Sequence, residues 1–168
     1  RDANLQHAIE TVTDGAMFNS GQSCCGIERA YVEESLFEDF VDGITSLVKQ
    51  YRLGRPDLKE TTLGPMVKTT AADFVRDQID EAISMGAEAL IDPNLFNINE
   101  NRTPYMAPQV LIKVNHSMRV MNEESFGPVI GIMPVSGDEE AIQLMNDSEF
   151  GLTGAVFTQD EDAAIKIG

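Results

Sequence analysis

The chain reads as an α/β domain, a layered and mostly parallel sheet with helices on both faces. Three observations predict this. Apolar residues recur at helical spacing in several segments, those segments alternate with short β-branched runs, and no repeat or low-complexity linker interrupts them. Helices alternating with strands provide the crossovers that parallel strands need, so both sheet faces become covered. The 168 residues, 42% of them hydrophobic, suffice for one substantial core and are too few for two ordinary domains.

The elements follow in order. Leu5, Ile9, Val12 and Ala16 recur three or four apart while Glu10 and Asp14 turn elsewhere, as in an amphipathic helix. That helix leads into Phe18-Asn19-Ser20-Gly21-Gln22-Ser23-Cys24-Cys25-Gly26, a glycine-containing turn. Residues 27–32, with β-branched and aromatic members, read as a strand. Ser35 with Glu38 has the pattern of a capping box, and Phe37, Phe40, Val41, Ile44, Leu47 and Val48 trace a helical stripe ending near Arg52. Thr70 caps a further helix that ends at Gly86, with Val75, Ile79, Ala82 and Ile83 inward and Asp73, Asp77, Asp80 and Glu81 in solvent. Residues 87–91 read as a short buried strand, and residues 92–103, with Pro93 and four asparagines, as an exposed loop. Residues 110–114, 129–135 and 154–158 are further strands, while Ser136 with Glu139 and Thr158 with Glu161 each open a capped helix.

Composition narrows the function classes. A net charge of -16 and a pI near 4.3 oppose binding to nucleic acid, which depends on lysine and arginine displacing counterions from phosphates. No stretch reaches the roughly 20 apolar residues that span a bilayer, and residues 1–4 lack a leader's apolar core, so a cytoplasmic protein without a membrane partner is expected. Cys24 and Cys25 are the only cysteines and are adjacent, which excludes a disulfide framework and favours a reducing compartment. With two distant histidines, His7 and His116, they make a poor zinc site, and no metal is expected. Both ends of the chain fall within helical patterns, which reads as a domain taken from a longer protein.

Cys24 carries the chemistry. Free cysteine is usually a small buried hydrophobe, but glycine lets a turn approach a ligand, and flanking polar side chains can satisfy its backbone. An unperturbed thiol, with a pKa of roughly 8.5, needs such a polar and open site to ionise at neutral pH.

Gly21-Gln22-Ser23-Cys24, with Phe18 and Asn19 before it and Arg29 five positions after the cysteine, resembles the active-site signature of the aldehyde dehydrogenase superfamily. Glu124-Ser125-Phe126-Gly127-Pro128-Val129 resembles that family's Glu-x-Phe-Gly-Pro-Val segment. Further likeness runs through Leu63-Gly64-Pro65-Met66, Tyr105-Met106-Ala107-Pro108 and residues 146–158, and so covers nearly the whole chain. Met17 and Gln109 depart from the usual pattern, at positions remote from the proposed chemistry.

The resemblance implies a catalytic domain of that family, from which the cofactor-binding and oligomerisation parts are absent. It implies oxidation of an aldehyde to a carboxylic acid with NAD or NADP, through a hemithioacetal and thioester on Cys24. Cys25, with Ser23, then lines the substrate pocket. Glu124 accepts hydrogen bonds from the nicotinamide ribose, and Phe126 packs near the nicotinamide end. Asn19, Gly21, Gln22 and Arg29 support the loop, Arg29 by pairing with a scaffold carboxylate. No Gly-x-Gly-x-x-Gly fingerprint and no Glu-Leu-Gly-Gly segment precede Cys24, and the family's oxyanion asparagine and dimer hairpin are missing too. The isolated chain is therefore expected to be inactive, and the parent protein to be a homo-oligomer. Two other readings stand beside this one: a cysteine hydrolase with His116 as base, which needs the two side chains within about 3 Å, and a non-catalytic assembly domain.

Overall fold

A computed structural model describes residues 2–168; Arg1 lies outside the described residues. The first amphipathic pattern becomes α1 (Leu5–Met17), capped by Asn4, whose side chain accepts from the His7 N–H at 3.2 Å. After the cysteine turn come β1 (Arg29–Glu33) and α2 (Glu34–Val48), then α3 (Thr69–Ser84) and β2 (Glu88–Ala89). The rest of the chain supplies β3 (Gln109–Ile112), α4 (Arg119–Asn122), β4 (Val129–Val135), α5 (Asp138–Asn146) and α6 (Glu161–Ile167).

One sheet has the order β1-β4-β3-β2. Its first two pairings are parallel and the β2–β3 pairing is antiparallel, in agreement with the expected mostly parallel sheet. Alternation along the strands divides the interior in two. Val110, Ile130 and Ile132 face the layer of α1 and α2, packing with Ile9, Val12 and Ile44. Leu111 and Val129 face the opposite layer, with Val75 and Ala82 of α3 and Val120 and Met121 of α4. Gly131 sits on that second face, where a Cβ would lie 2.2 Å from the Met121 Sδ.

Several local expectations shift. Residues 154–158 form no strand; Phe157 instead meets the His7 ring edge-on at 6.2 Å, and Thr158 Oγ1 donates to Asp2 at 2.9 Å. A strand requires a ladder partner, and this segment packs against the start of α1 rather than beside a sheet edge. Only Glu88–Ala89 of the 87–91 run is strand, because the Gln109 side chain takes over the pairing: it accepts from Ile91 N–H at 2.9 Å and donates to Ile91 O at 3.0 Å. β3 stops at Ile112 because Lys113 turns to φ 56°.

The caps move as well. Glu33, not Ser35, precedes α2 and accepts from the Ser35 N–H at 3.1 Å, and the helix ends at Val48, short of Arg52. Lys68 precedes α3 without a side-chain cap, so Thr70 lies inside the helix, and Ile83 is exposed at its far end. Gly137 precedes α5, while Ser136 N–H and Oγ donate to Glu140 at 2.8 and 2.7 Å, one position beyond the expected Glu139. Asp160 caps α6 through the Ala163 N–H at 3.0 Å, since Thr158 is taken by Asp2.

Ile44 is 0% exposed whereas Ile165 is 79% exposed. Ile44→Ala is expected to lower the free energy of unfolding in urea by about 2–5 kcal/mol, and Ile165→Ala to change it by less than about 0.5 kcal/mol. Gln78 of α3 is fully buried, and among the described residues neither Oε1 nor Nε2 finds a partner. Gln78→Met is therefore expected to raise the urea midpoint, the relieved desolvation being worth about 1–3 kcal/mol.

Candidate active site

The Cys24 turn is built by backbone that few residues adopt. Asn19, Ser20 and Gly21 all take positive φ, at 51°, 58° and 71°. Asparagine tolerates the left-handed region better than other side chains, and here Asn19 Nδ2 donates to the Gln22 carbonyl at 2.9 Å, closing the turn. Gln22 Nε2 donates to the Asn19 and Pro65 carbonyls at 3.0 and 3.3 Å, while its Oε1 accepts from the Val67 N–H at 2.6 Å. Ser20 Oγ donates to the Gly64 carbonyl at 2.7 Å. The Gly64-Pro65-Met66-Val67 stretch thus braces the turn from outside.

The two distant motifs meet at Gly21. A Cβ there would lie 1.9 Å from the Gly127 carbonyl oxygen and 2.9 Å from the Pro128 nitrogen, so only glycine lets the two backbones touch. This contact sets the Cys24 turn against the arm Glu124-Ser125-Phe126. Phe126, at φ 51°, is 39% exposed, and Glu124 is exposed. With Gln22, Val67, Lys68 and Phe74 they edge an open cleft of about 360 Å³.

Cys24 and Cys25 are both exposed free thiols, their sulfurs 3.8 Å apart. The hydrogen bond to Cys24, and then electrostatic repulsion from it, push the Cys25 thiol up. Ser23 Oγ accepts from the Cys25 N–H at 3.3 Å, and its carbonyl from the Gly26 N–H at 2.9 Å. Among the described residues no acceptor engages the Cys24 N–H, which remains free to meet an oxyanion.

Among the described residues Arg29 does not pair with a carboxylate as expected. It lies in β1, and its Nη1 donates to the Met121 carbonyl at 3.3 Å, with the guanidinium 6.0 Å from the Tyr31 ring. His116 has its own partners: its Nδ1 lies 2.8 Å from Asp147 Oδ2 and its Nε2 2.8 Å from the Tyr31 hydroxyl. Among the described residues the Cys24 sulfur meets Cys25 and no hydrogen bond joins it to His116, so the hydrolase reading lacks the contact it requires.

Sequence reasoning missed Glu28. Its carboxylate accepts from the Phe126 N–H at 2.8 Å and from the Ser125 N–H at 3.0 Å, joining the cysteine side of the site to the arm. The available signal was weak: an acidic residue inside an otherwise strand-like run next to the turn. Among the described residues no cluster of three or more metal-ligating side chains occurs, and no helix is long and apolar enough to cross a membrane.

An α/β domain that sets a cysteine turn against a Glu-x-Phe-Gly-Pro arm places the chain in a class, and comparison with known proteins gives the family. The aldehyde dehydrogenase family model matches residues 1–168, and the chain belongs to that family. Vanillin dehydrogenase of Pseudomonas fluorescens is 36% identical over 166 residues, 99% of this chain and 33% of that relative. The structure of an NADP-dependent glyceraldehyde-3-phosphate dehydrogenase from Bacillus halodurans complexed with NADP superposes with a TM-score of 0.90 at 36% identity, covering 99% of this chain and 33% of that one. Betaine aldehyde dehydrogenase from Staphylococcus aureus, in complex with NAD+, gives 0.89 at 30% identity with the same coverage. The chain spans about a third of the length of these relatives.

Gly21→Ala puts a methyl into backbone at a left-handed φ. It is expected to cost about 1–3 kcal/mol of unfolding free energy, while Gly64→Ala, with no atom within 4 Å of its added Cβ, changes little. Paired urea titrations of the two variants check this.

Proposed function

We propose that this chain is the nucleophile-bearing domain of an NAD(P)-dependent aldehyde dehydrogenase, with Cys24 as nucleophile. The contact of Gly21 with Gly127 carries the reading, because it brings the turn that bears an exposed thiol against an arm whose side chains suit a nicotinamide ribose.

Cys24 as thiolate attacks the aldehyde carbon, giving a tetrahedral hemithioacetal whose oxygen becomes negative. The free Cys24 N–H is the donor that this chain offers to that oxygen. NAD or NADP, when bound, would supply the two-electron acceptor for the hydride that the carbon loses in becoming a thioester. Water then cleaves the thioester, releasing the carboxylic acid and restoring the thiolate. Cys25, whose thiol its neighbour pushes up, and Ser23, engaged with the turn's own backbone, line the substrate side.

The residues present fit the cofactor's nicotinamide end. Glu124 is an exposed carboxylate that accepts from ribose hydroxyls, and Phe126 offers a half-open aromatic face on the same cleft. No glycine-rich phosphate-binding turn is present in the sequence, so we assign the rest of the cofactor, and the general base, to parts of a longer protein. The same holds for assembly into an oligomer. The cytoplasm remains the proposed location.

Iodoacetamide at pH 7–8 tests the nucleophile. Mass-mapped labelling is expected at Cys24 well before Cys25 and is expected to slow when an aldehyde is added. In Cys24→Ala the cause of Cys25's raised value is removed, so Cys25 labels faster than in the parent chain. Equal, slow and aldehyde-insensitive labelling of both sulfurs would refute the proposal. Mixed with NAD and a panel of aldehydes, the purified chain is expected to form no NADH, and steady turnover contradicts the assignment of the base to missing parts.

A further inference from the structure

One carboxylate beside the cysteine turn has no part in the chemistry just given. Glu28 lies between Cys24 and β1, and its side chain crosses to the backbone of the arm. Its Oε1 accepts from the Phe126 N–H at 2.8 Å and the Ser125 N–H at 3.1 Å, and its Oε2 from the Ser125 N–H at 3.0 Å. Nothing in the arm's own residues replaces these bonds. Ser125 Oγ is buried without a partner among the described residues, and Phe126 is held at a left-handed φ that a bulky side chain rarely adopts. A segment in that conformation persists only where its surroundings over-determine it.

We infer that Glu28 is a positioning residue for the cofactor end of the site: its carboxylate fixes the Ser125 and Phe126 backbone so that Glu124 and Phe126 meet the nicotinamide ribose. The inference rests on the function proposed above. Glu28 acts through the arm and touches neither substrate nor cofactor.

The electrostatics indicate what the charge is for. Burial pushes the Glu28 carboxyl up, the Phe126 and Ser125 amides offset part of this, nearby Glu124 raises it further and Arg29 lowers it. A group raised in the folded state contributes stability that is present below the ordinary glutamate range and is lost as pH climbs through the raised value. Ionised Glu28 therefore costs the fold stability at neutral pH. A residue kept only for stability would be better as a neutral amide, whereas an anion is the better acceptor for two backbone donors at once.

Amide NMR of the whole chain tests this. Ser125 and Phe126 N–H signals are expected to titrate together, with one midpoint above the ordinary glutamate range, and in Glu28→Gln that titration disappears while the urea midpoint at pH 7 is not lowered. With nicotinamide mononucleotide as probe, the Glu124 to Phe126 amides are expected to shift, and the dissociation constant to rise at least several-fold in Glu28→Gln. Glu28→Asp, which keeps the charge but shortens the reach, is expected to weaken the probe as well, and guards against a Gln variant that fails to fold. Amides that ignore pH in the parent chain, or titrate unchanged in Glu28→Gln, overturn the clamp. Equal probe affinity in the parent and Glu28→Gln overturns the positioning role. No response to the probe in any chain, with the titration intact, refutes the cofactor reading of the preceding subsection instead, and the positioning role falls with it.

Discussion

The site depends on one steric constraint, the direct contact of two backbones where Gly21 lies against the Gly127 carbonyl. No side chain mediates it, so no side chain can loosen it by changing rotamer. Once the contact is made, much of the surrounding geometry follows. The left-handed run Asn19-Ser20-Gly21 turns the chain back on itself, and the Gln22 side chain, bonded at both ends, locks that reversal to the Pro65 and Val67 backbone. On the other side, Glu28 reaches the arm just before Gly127, so the contact is flanked by charge-assisted hydrogen bonds. A turn that stores strain at Asn19 and Ser20 is held by bonds on every side, which is the condition for such strain to persist.

The sheet provides the frame for this arrangement. β4 is its central parallel strand, and the arm is the segment that enters it, so Gly127 and Pro128 are placed by the register that pairs Gln109 with Val129 and Arg29 with Gly131. β1 leaves the cysteine turn and lies directly beside β4. The two motifs are therefore neighbours because the strands adjoining them are neighbours. Arg29 adds a brace across the same seam through the Met121 carbonyl, and Tyr31, further along β1, joins His116 and Asp147 in a polar cluster that ties the end of α5 to the sheet.

Much of this was legible in the sequence. The stripes of α1 and α2 and the β-branched runs at β1, β3 and β4 are local signals, and periodicity reads them directly. The motif around Cys24 and the Glu124 arm were legible for a different reason, by resemblance to the segments of a known family, and of their special backbone only the glycine of the turn was a local signal. What could not be read was set by distant partners. The segment 154–158 has strand composition but packs on α1, and of residues 87–91 only Glu88 and Ala89 are strand, the side chain of Gln109 pairing with Ile91 instead. The caps moved by one or two positions because Asp2, Glu33 and Glu140 compete for the same donors and acceptors as the residues that periodicity singled out. Glu28 and the His116–Asp147 pair share this character: each partner lies far away along the chain, and nothing local announces it.

A main-chain joint at Gly21 also separates two design problems. The course of the turn that carries Cys24 is fixed by peptide atoms, whereas the cleft beside the arm is edged by side chains such as Val67, Lys68 and Phe74 that take no part in the joint. Those side chains can be exchanged without moving the two backbones, so the shape and polarity of the cleft's edge can vary while the turn stays in place. A joint made of main chain alone thus leaves the side chains around it open to exchange, with the course of the turn held constant.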